Sequence, residues 1–359
     1  MKKKDLAWIL NLSLDQMTVI TLQFKDQTIL LSADNERSYF EKEYSLQTET
    51  DCSFTFSLPA FHQFLSAVNG RSSFALTPQG LCLLTKEGEI KEILEYPPQI
   101  EERHFHTVFY QNVPPTQISV SDWAIHNKFR LSIDEYPECD KVYVFIDEGV
   151  LSLMSTNGTA FCRTQVYSAG FEAVENKTFT IEPDDLELLS GFFPDDQLIM
   201  FNLQQQGNEA DLILIDESLE NSGKMILHLN EAAPQRVFSS EVLEVLDDPE
   251  RNKKIIDLSK VSLKDYKKEN SENRSCSSKS SSKSYDFSVE MINDQLEFNC
   301  SKKRISLNTP QCVGIHCFIN SYDMAQILAF QPLILSENKN SIHWCRNETA
   351  ISILKNAVS

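Results

Sequence analysis

An internal repeat limits the folds that are open to this chain of 359 residues. Three stretches, which begin at Phe24, Phe145 and Met291, each show a strand-like run, a turn that carries Asp or Asn, and a second strand-like run. Asp and Asn suit such a turn because they tolerate a left-handed backbone and bond to their own main chain. Each copy therefore predicts two strands joined by a tight turn.

A second pattern follows each copy, at residues 54–65, 179–189 and 317–328. It begins as a short strand and continues with apolar residues at helical spacing, such as Phe61 and Phe64. A proline stands near the helix start in the first two copies, where its missing N–H costs little. The pattern predicts a strand followed by a helix with one buried face.

The copies begin 121 and 146 residues apart, and the longer interval contains a Ser-rich stretch at 271–284 with eight serines in fourteen residues. We interpret that stretch as a flexible loop insertion. The chain is thus predicted to be an α+β protein of three tandem domains, at 1–110, 111–235 and 236–359. Each domain is a doubled unit of strand, helix and further strands.

Each predicted domain also has a leading helix. The three helices are predicted at Lys4–Leu12, Ser121–Leu131 and Ser259–Glu269. The first begins so close to Met1 that the first domain is expected to lack its opening strand.

The net charge of the chain is negative and unevenly distributed. The 33 basic and 52 acidic side chains give a net charge of -19, which argues against a protein that coats nucleic acid with a basic surface. Residues 111–235 hold 6 basic and 21 acidic groups, a net charge of -15, whereas residues 236–359 hold 17 and 16, a net charge of +1. An acidic body around a locally basic lining is compatible with this distribution.

The sequence predicts neither export nor a membrane span. Asp5 and Asn11 interrupt the apolar stretch that follows the first lysines, and no run approaches the ~18–20 apolar residues of a membrane helix. The nine cysteines contain no C-x-x-C pair. We therefore expect reduced, buried thiols in a cytoplasmic protein.

The middle of the chain resembles a known family. Residues 142–161 are similar to a second-domain stretch of the bacterial DNA polymerase III beta subunit, the sliding clamp, and residues 177–189 resemble the strand and helix that follow it. The resemblance implies three clamp domains per chain and a head-to-tail homodimer, with helices inside the ring and sheets outside. Such a ring encircles duplex DNA, has no enzymatic activity and needs no cofactor. The implied partners are DNA polymerase and clamp-loader subunits, which bind through short peptide motifs.

The resemblance also implies a pocket for those peptides, with two departures. The family's Thr-Asp-Gly-His-Arg-Leu stands here as Thr156-Asn157-Gly158-Thr159-Ala160-Phe161, so the His and the Arg are absent, and the family's Met-Pro-Met-Arg-like tail is replaced by the residues 351–359. Residue by residue, the resemblance assigns the pocket to Thr156, Gly158, Phe161, Arg236, Val237, Ile353 and Leu354. For Phe161 and Ile353, ordinary core packing is the favoured explanation.

Sliding along DNA requires attraction to phosphate without base readout, which Lys and Arg side chains supply. The candidate DNA-lining residues are Lys3, Lys4, Arg71, Lys128, Arg130, Lys260, Lys264, Lys267 and Lys268. The spacing of Lys260, Lys264 and Lys267 places them on one face of a helix. A solvated helix face explains such lysines as well. The helix after Pro183 carries three acidic residues and would repel DNA if it faced the hole.

Two other classes of function remain open. Clustered Cys and His residues lie near the end of the chain, but they lack the close pairs of a usual zinc site, so no metal is predicted. No G-x-S-x-G, H-E-x-x-H or Gly-rich phosphate loop indicates an enzyme. The main alternative is a clamp-fold interaction scaffold that does not load on DNA.

Overall fold

The structure is a computed structural model. It describes residues 7–10, 17–25, 27–35, 38–45, 52–67, 73–95, 116–130, 137–147, 149–167, 177–193, 198–206, 209–216, 223–232, 251–255, 258, 287–292, 295–300, 303–308, 316–319, 321–338 and 341–354. All statements below concern these residues.

Short strands dominate the described residues. The strands of the first half are β1 Met17–Lys25, β2 Thr28–Asn35, β3 Ser38–Ser45, β4 Cys52–Ser57, β5 Ser73–Thr77, β6 Gly80–Leu84, β7 Ile90–Glu95, β8 Thr116–Ser119, β9 Val142–Asp147, β10 Val150–Thr156 and β11 Ala160–Tyr167. Those of the second half are β12 Lys177–Ile181, β13 Leu198–Gln206, β14 Glu209–Asp216, β15 Gly223–Glu231, β16 Arg251–Ile255, β17 Phe287–Ile292, β18 Gln295–Cys300, β19 Lys303–Asn308, β20 His316–Ile319, β21 Ile334–Glu337, β22 Ser341–Arg346 and β23 Thr349–Leu354.

Helices among the described residues are few and short. They are α1 Ala7–Leu10, α2 Leu58–Ser66, α3 Val120–Ala124, α4 Pro183–Phe192 and α5 Ser321–Phe330, with 3₁₀ turns at Ile125–Lys128 and Pro137–Asp140. Ser57 caps α2 by accepting a hydrogen bond from the Ala60 amide, and Pro59 lies in its first turn, as the sequence predicts.

The local repeat patterns are confirmed. Two strands separated by two residues occur at β1–β2, β9–β10 and β17–β18, and a strand precedes a helix at β4–α2, β12–α4 and β20–α5. Three further strands follow α2, α3, α4 and α5 in turn. This order is consistent with the predicted half-units, whereas the three domain boundaries stay a prediction. Two of the predicted leading helices are present: α1 lies within the first predicted range, and α3 begins one residue before the second. The third predicted range lies outside the described residues.

The chain forms two compact units, which comprise Met1–Ala124, Asp147–Gly149 and Tyr167–Glu231 in the first, and Ile125–Ile146, Val150–Val166 and Ala232–Ser359 in the second. In the first unit, β4, β1, β2, β3 and β15 pair in that order, and β14, β13 and β8 extend the pairing from β15. A separate sheet has the order β5-β6-β7. Buried aromatic rings fill the core next to these strands, for example Trp8 and Phe192, whose ring centroids are 5.1 Å apart.

The second unit contains the elements that carry the site. Its larger sheet has the order β16-β21-β22-β23-β11-β10-β9, and a smaller one the order β19-β18-β17-β20. Pairs such as β11–β23, β21–β22 and β17–β18 are antiparallel. Helix α5 packs its apolar residues, including Met324 and Ile327, on one face of the larger sheet, against Trp344, Ile351 and Ile353. This packing leaves the opposite face of β11 and β23 for other contacts.

Candidate partner-peptide site

The structure brings together the two chain segments that were assigned to a peptide pocket. Strand β11, which follows the motif at 156–161, pairs with β23 near the end of the chain. In this register Ala160 lies opposite Ile353, and Phe161 lies opposite Ser352. Residues almost 200 positions apart in sequence therefore become neighbours within the second unit.

The register divides the predicted residues between two faces of the sheet. Side chains alternate along a strand, and directly opposed residues share a face. Ile353 lies with Ala160 in the core beneath α5, and only 3% of its surface is exposed. Phe161 and Leu354 point to the other face, where Leu354 is 38% exposed. We call this second face, defined by Phe161, Ser352 and Leu354, the candidate peptide face.

Phe161 belongs to a small aromatic cluster. It packs with Tyr143 and Met154, and Phe145 and Ala232 pack against the same group. Tyr143 and Phe145 are two residues apart on β9 and stack with ring centroids 6.2 Å apart. Ala232 is the last described residue before the segment that carries Arg236 and Val237, which lie outside the described residues. The start of that segment thus contacts the Phe161 cluster.

The turn between β10 and β11 is held by its own side chains. Thr156 Oγ donates to the Ala160 carbonyl (2.8 Å) and accepts from the Gly158 amide (3.1 Å). Asn157 Oδ1 accepts from the amides of Thr159 (3.1 Å) and Ala160 (2.9 Å). Gly158 has a φ of +83°, a left-handed value that glycine adopts without strain. The Asn-Gly pair therefore has a conformational role in this turn.

The same turn is tied to the start of α5. Asn157 Nδ2 donates to Asp323 Oδ1 at 2.6 Å, and Thr159 Oγ1 donates to Asp323 Oδ2 at 2.7 Å. Asp323 stands in the first turn of α5, where the helix dipole favours a negative charge. Only 1% of its surface is exposed. Both carboxylate oxygens of a buried Asp are thus engaged by the turn.

A buried polar network continues the candidate peptide face along β22 and β21. His343 Nδ1 lies 2.7 Å from Ser352 Oγ, and His343 Nε2 lies 3.0 Å from Ser341 Oγ. Ser341 Oγ donates to Asn338 Oδ1 at 2.7 Å, so it accepts the proton of His343 Nε2. The ring is therefore arranged as the Nε2–H tautomer, which accepts from Ser352.

A second buried histidine lies on the α5 side of the sheet. His126 Nδ1 is 2.9 Å from Ser155 Oγ, and Nε2 is 2.9 Å from Thr164 Oγ1. Thr164 Oγ1 in turn lies 2.7 Å from Thr349 Oγ1 on β23. Burial lowers the pKa of His126 to about 3, because no solvent stabilises the charged ring. His126 is therefore neutral at pH 7.

Two of the nine candidate DNA-lining residues lie within the described part of the chain. Lys128 is exposed at the end of the 3₁₀ turn, and its carbonyl accepts from the Tyr322 hydroxyl at 3.0 Å. Arg130 is half-buried and pairs with Asp140, Nη1 to Oδ1 at 3.0 Å. The others, Lys3, Lys4, Arg71, Lys260, Lys264, Lys267 and Lys268, lie outside the described residues.

The acidic helix α4 is less uniformly exposed than its sequence suggests. Asp185 is buried, whereas Glu187 is exposed. Asp185 occupies the third position of its helix, as Asp323 does in α5. One of the predicted repulsive charges therefore does not lie on the surface.

No group of three or more His, Cys, Asp or Glu side chains that could hold a metal ion occurs among the described residues. Among the same residues, no helix is long and apolar enough to cross a membrane. Of the described cysteines, Cys82, Cys139 and Cys162 are buried.

Sequence reasoning missed three residues of the site. Asn157 and Thr159 could have been noticed as polar residues at an Asn-Gly turn, which often bond to nearby groups. Asp323 could have been recognised only as a helix-start residue. Its contact with a turn 166 residues earlier depends on the pairing of β11 with β23, for which the sequence has no local signal.

These elements define a class: a chain of mostly antiparallel sheets with few helices, in the fold of the bacterial sliding clamps. Over 99% of its length the chain matches 97% of the Helicobacter pylori beta clamp bound to a DNA ligase peptide, with a TM-score of 0.63 and 11% identity. It matches the DNA polymerase III subunit beta of Borrelia burgdorferi, solved with a natural product, over 99% of this chain and 96% of that one, with a TM-score of 0.61 and 14% identity. The beta subunit of Thermotoga maritima matches over 100% and 98%, with a TM-score of 0.60 and 10% identity.

The resemblance seen in the sequence is thereby confirmed at the level of the fold, with a divergent sequence. No protein-family model and no curated protein matches the chain.

Proposed function

We propose that this chain is a divergent sliding clamp, a non-enzymatic processivity factor that encircles duplex DNA and tethers a DNA polymerase. The observation that carries the proposal is the β11–β23 register within a full-length clamp fold, because it joins the motif at 156–161 to the tail strand. The resemblance to the sliding-clamp family assigns both segments to one pocket. The proposal includes three clamp domains per chain and a cytoplasmic protein.

The proposed ring is a head-to-tail homodimer with helices inside and sheets outside. A head-to-tail contact closes when the rotation per protomer fits, as a half turn does for two copies. Lysine and arginine side chains on the inner helices would hold the phosphates through non-specific, salt-dependent contacts. Among the described residues, Lys128 is exposed and suits this role.

The proposed peptide pocket uses the candidate peptide face. Leu354 offers partly exposed apolar surface, and Phe161, which is 6% exposed, lies on the same face in a buried aromatic cluster. An apolar surface of this kind suits an extended peptide that carries Leu or Phe side chains, as found in polymerase and clamp-loader partners. The clamp of Helicobacter pylori binds a DNA ligase peptide, and that peptide is a suitable first probe.

The test is retention on DNA of different topology. The protein is expected to have a solution mass about twice its chain mass of 41.0 kDa, and to remain on nicked circular DNA in the presence of a clamp loader. Linearising the DNA should release it, since a ring slides off free ends. A monomer at micromolar concentration that no loader retains on circles would contradict the proposal.

A clamp-fold interaction scaffold is the second candidate. It is favoured by the pairing of Arg130 with Asp140, which neutralises one of the two described candidate cations, and by the exposed Glu187 on α4. A scaffold would bind the peptide probe yet show no salt-dependent retention on DNA. Replacing Lys260, Lys264, Lys267 and Lys268 together would then leave its behaviour on DNA unchanged.

A further inference from the structure

The β10–β11 turn is linked to α5 by a buried polar contact next to the candidate peptide face. Asp323 is buried, and its two oxygens accept from Asn157 Nδ2 and Thr159 Oγ1 at 2.6 and 2.7 Å. Hydrogen bonds to a buried carboxylate are stronger than those between neutral groups, because the charge must be compensated. The turn is therefore anchored from outside as well as by its own backbone.

We infer that Asp323 is a positioning residue for the peptide site, an inference that rests on the proposed function. The Asn157 amide group connects two sets of bonds. Its nitrogen donates to Asp323, and its oxygen accepts from the amides of Thr159 and Ala160. Ala160 begins β11, and Phe161 is the next residue. Asp323 thus determines how β11 enters the sheet and where the Phe161 side chain lies.

Asn157 and Asp323 also form a complementary pair of hydrogen-bond donor and acceptor. An amide donor beside a carboxylate gives an attractive contact at 2.6 Å, whereas an aspartate at position 157 would place two carboxylates at that distance. Exchanging the two residues would restore one donor and one carboxylate. The contact can therefore be broken and rebuilt without changing the composition of the site.

The test uses three variants of the full chain: Asp323→Ala, Asn157→Asp, and the exchange Asn157→Asp with Asp323→Asn. Binding of the fluorescein-labelled DNA ligase peptide is measured by anisotropy. Hydrogen exchange of the segment 156–161 is followed by mass spectrometry. We expect about tenfold weaker binding for each single variant, the size expected for losing a bond to a buried charge. Exchange of the turn should be faster in both, and the double variant should recover both properties.

A matched control is Asp147→Ala, which removes an exposed carboxylate at the end of β9. It should change neither readout. Thermal melts of every variant separate loss of the turn from loss of the fold, and the double variant tests the contact even if Asp323→Ala is unstable.

The outcomes separate this inference from the proposed function. If the wild-type chain fails to bind the peptide, the peptide site itself is overturned, whatever the exchange rates show. If the wild-type chain binds, and all variants bind equally well, the positioning role is overturned while the site stands. Weak binding in the single variants with recovery in the exchange supports the inference.

Discussion

The two faces of the β11–β23 pair place neighbouring residues in different roles. On the α5 face, Ile353 and Trp344 belong to one continuous apolar core. On the candidate peptide face, the aromatic cluster of Phe161 lies beside a polar network around His343 and the partly exposed Leu354. Because side chains alternate along β23, one face of this strand contributes to the core and the other is available for the proposed recognition.

Truncation of adjacent residues on β23 should affect the two faces very differently. Ile353→Ala should lower the free energy of unfolding by about 2–4 kcal/mol, because it leaves a cavity in the core. Leu354→Ala should change it by less than about 1 kcal/mol, since its side chain is partly exposed. Urea unfolding measures both.

The Ile353→Ala and Leu354→Ala variants should also differ in their affinity for the peptide. Leu354→Ala is expected to weaken binding of the DNA ligase peptide, measured on folded protein, whereas folded Ile353→Ala should bind it nearly as the wild type does. Equal effects of the two variants on both stability and binding would show that the faces are not distinct in function.

The buried His126, on the α5 face, should also make the stability of the chain depend on pH. Its pKa in the folded chain is about 3, below the ordinary value of 6.5, so only the unfolded chain takes up a proton between these values. The stabilisation is complete above pH ~6.5 and is lost as the pH falls toward 3. At pH 5 the loss amounts to about 2 kcal/mol.

The measurement for His126 is urea unfolding at pH 7 and pH 5 for the wild type and for His126→Asn. The wild type should lose more stability than the variant over this interval, because Asn keeps polar groups but does not titrate. Identical losses would mean that carboxylates alone cause the pH dependence.

A substitution in the turn between β10 and β11 should have a smaller effect on stability. Gly158→Ala should cost about 1 kcal/mol, because a Cβ at φ +83° is strained although no atom lies within 4 Å of it. Gly88→Ala is the matched control, since Gly88 has φ +85° and equally open surroundings in another turn. Both variants should lose similar stability, but only Gly158→Ala should weaken peptide binding.

The sequence was sufficient for the local elements and insufficient for the contacts between them. Apolar spacing and turn chemistry predict strands such as β1 and β2 and helices such as α2, because these signals are local. The side of the sheet to which Ile353 or Phe161 points depends on register with a distant strand. A shift of one residue would exchange the two faces. For that reason the predicted pocket combined residues that the structure separates.

The smallest predicted effect concerns the two described candidate cations. Lys128 is exposed, so Lys128→Ala should leave stability within about 0.5 kcal/mol and reduce the salt dependence of DNA binding by about one phosphate contact. Arg130→Ala should instead lower the stability and leave the salt dependence of DNA binding nearly unchanged. The Arg130 charge is already paired with Asp140, so its loss disturbs packing more than attraction to DNA. The slope of log affinity against log salt, measured on the same circular DNA for both variants, checks this. A larger change of slope for Arg130→Ala than for Lys128→Ala would place the DNA contact at the paired arginine instead.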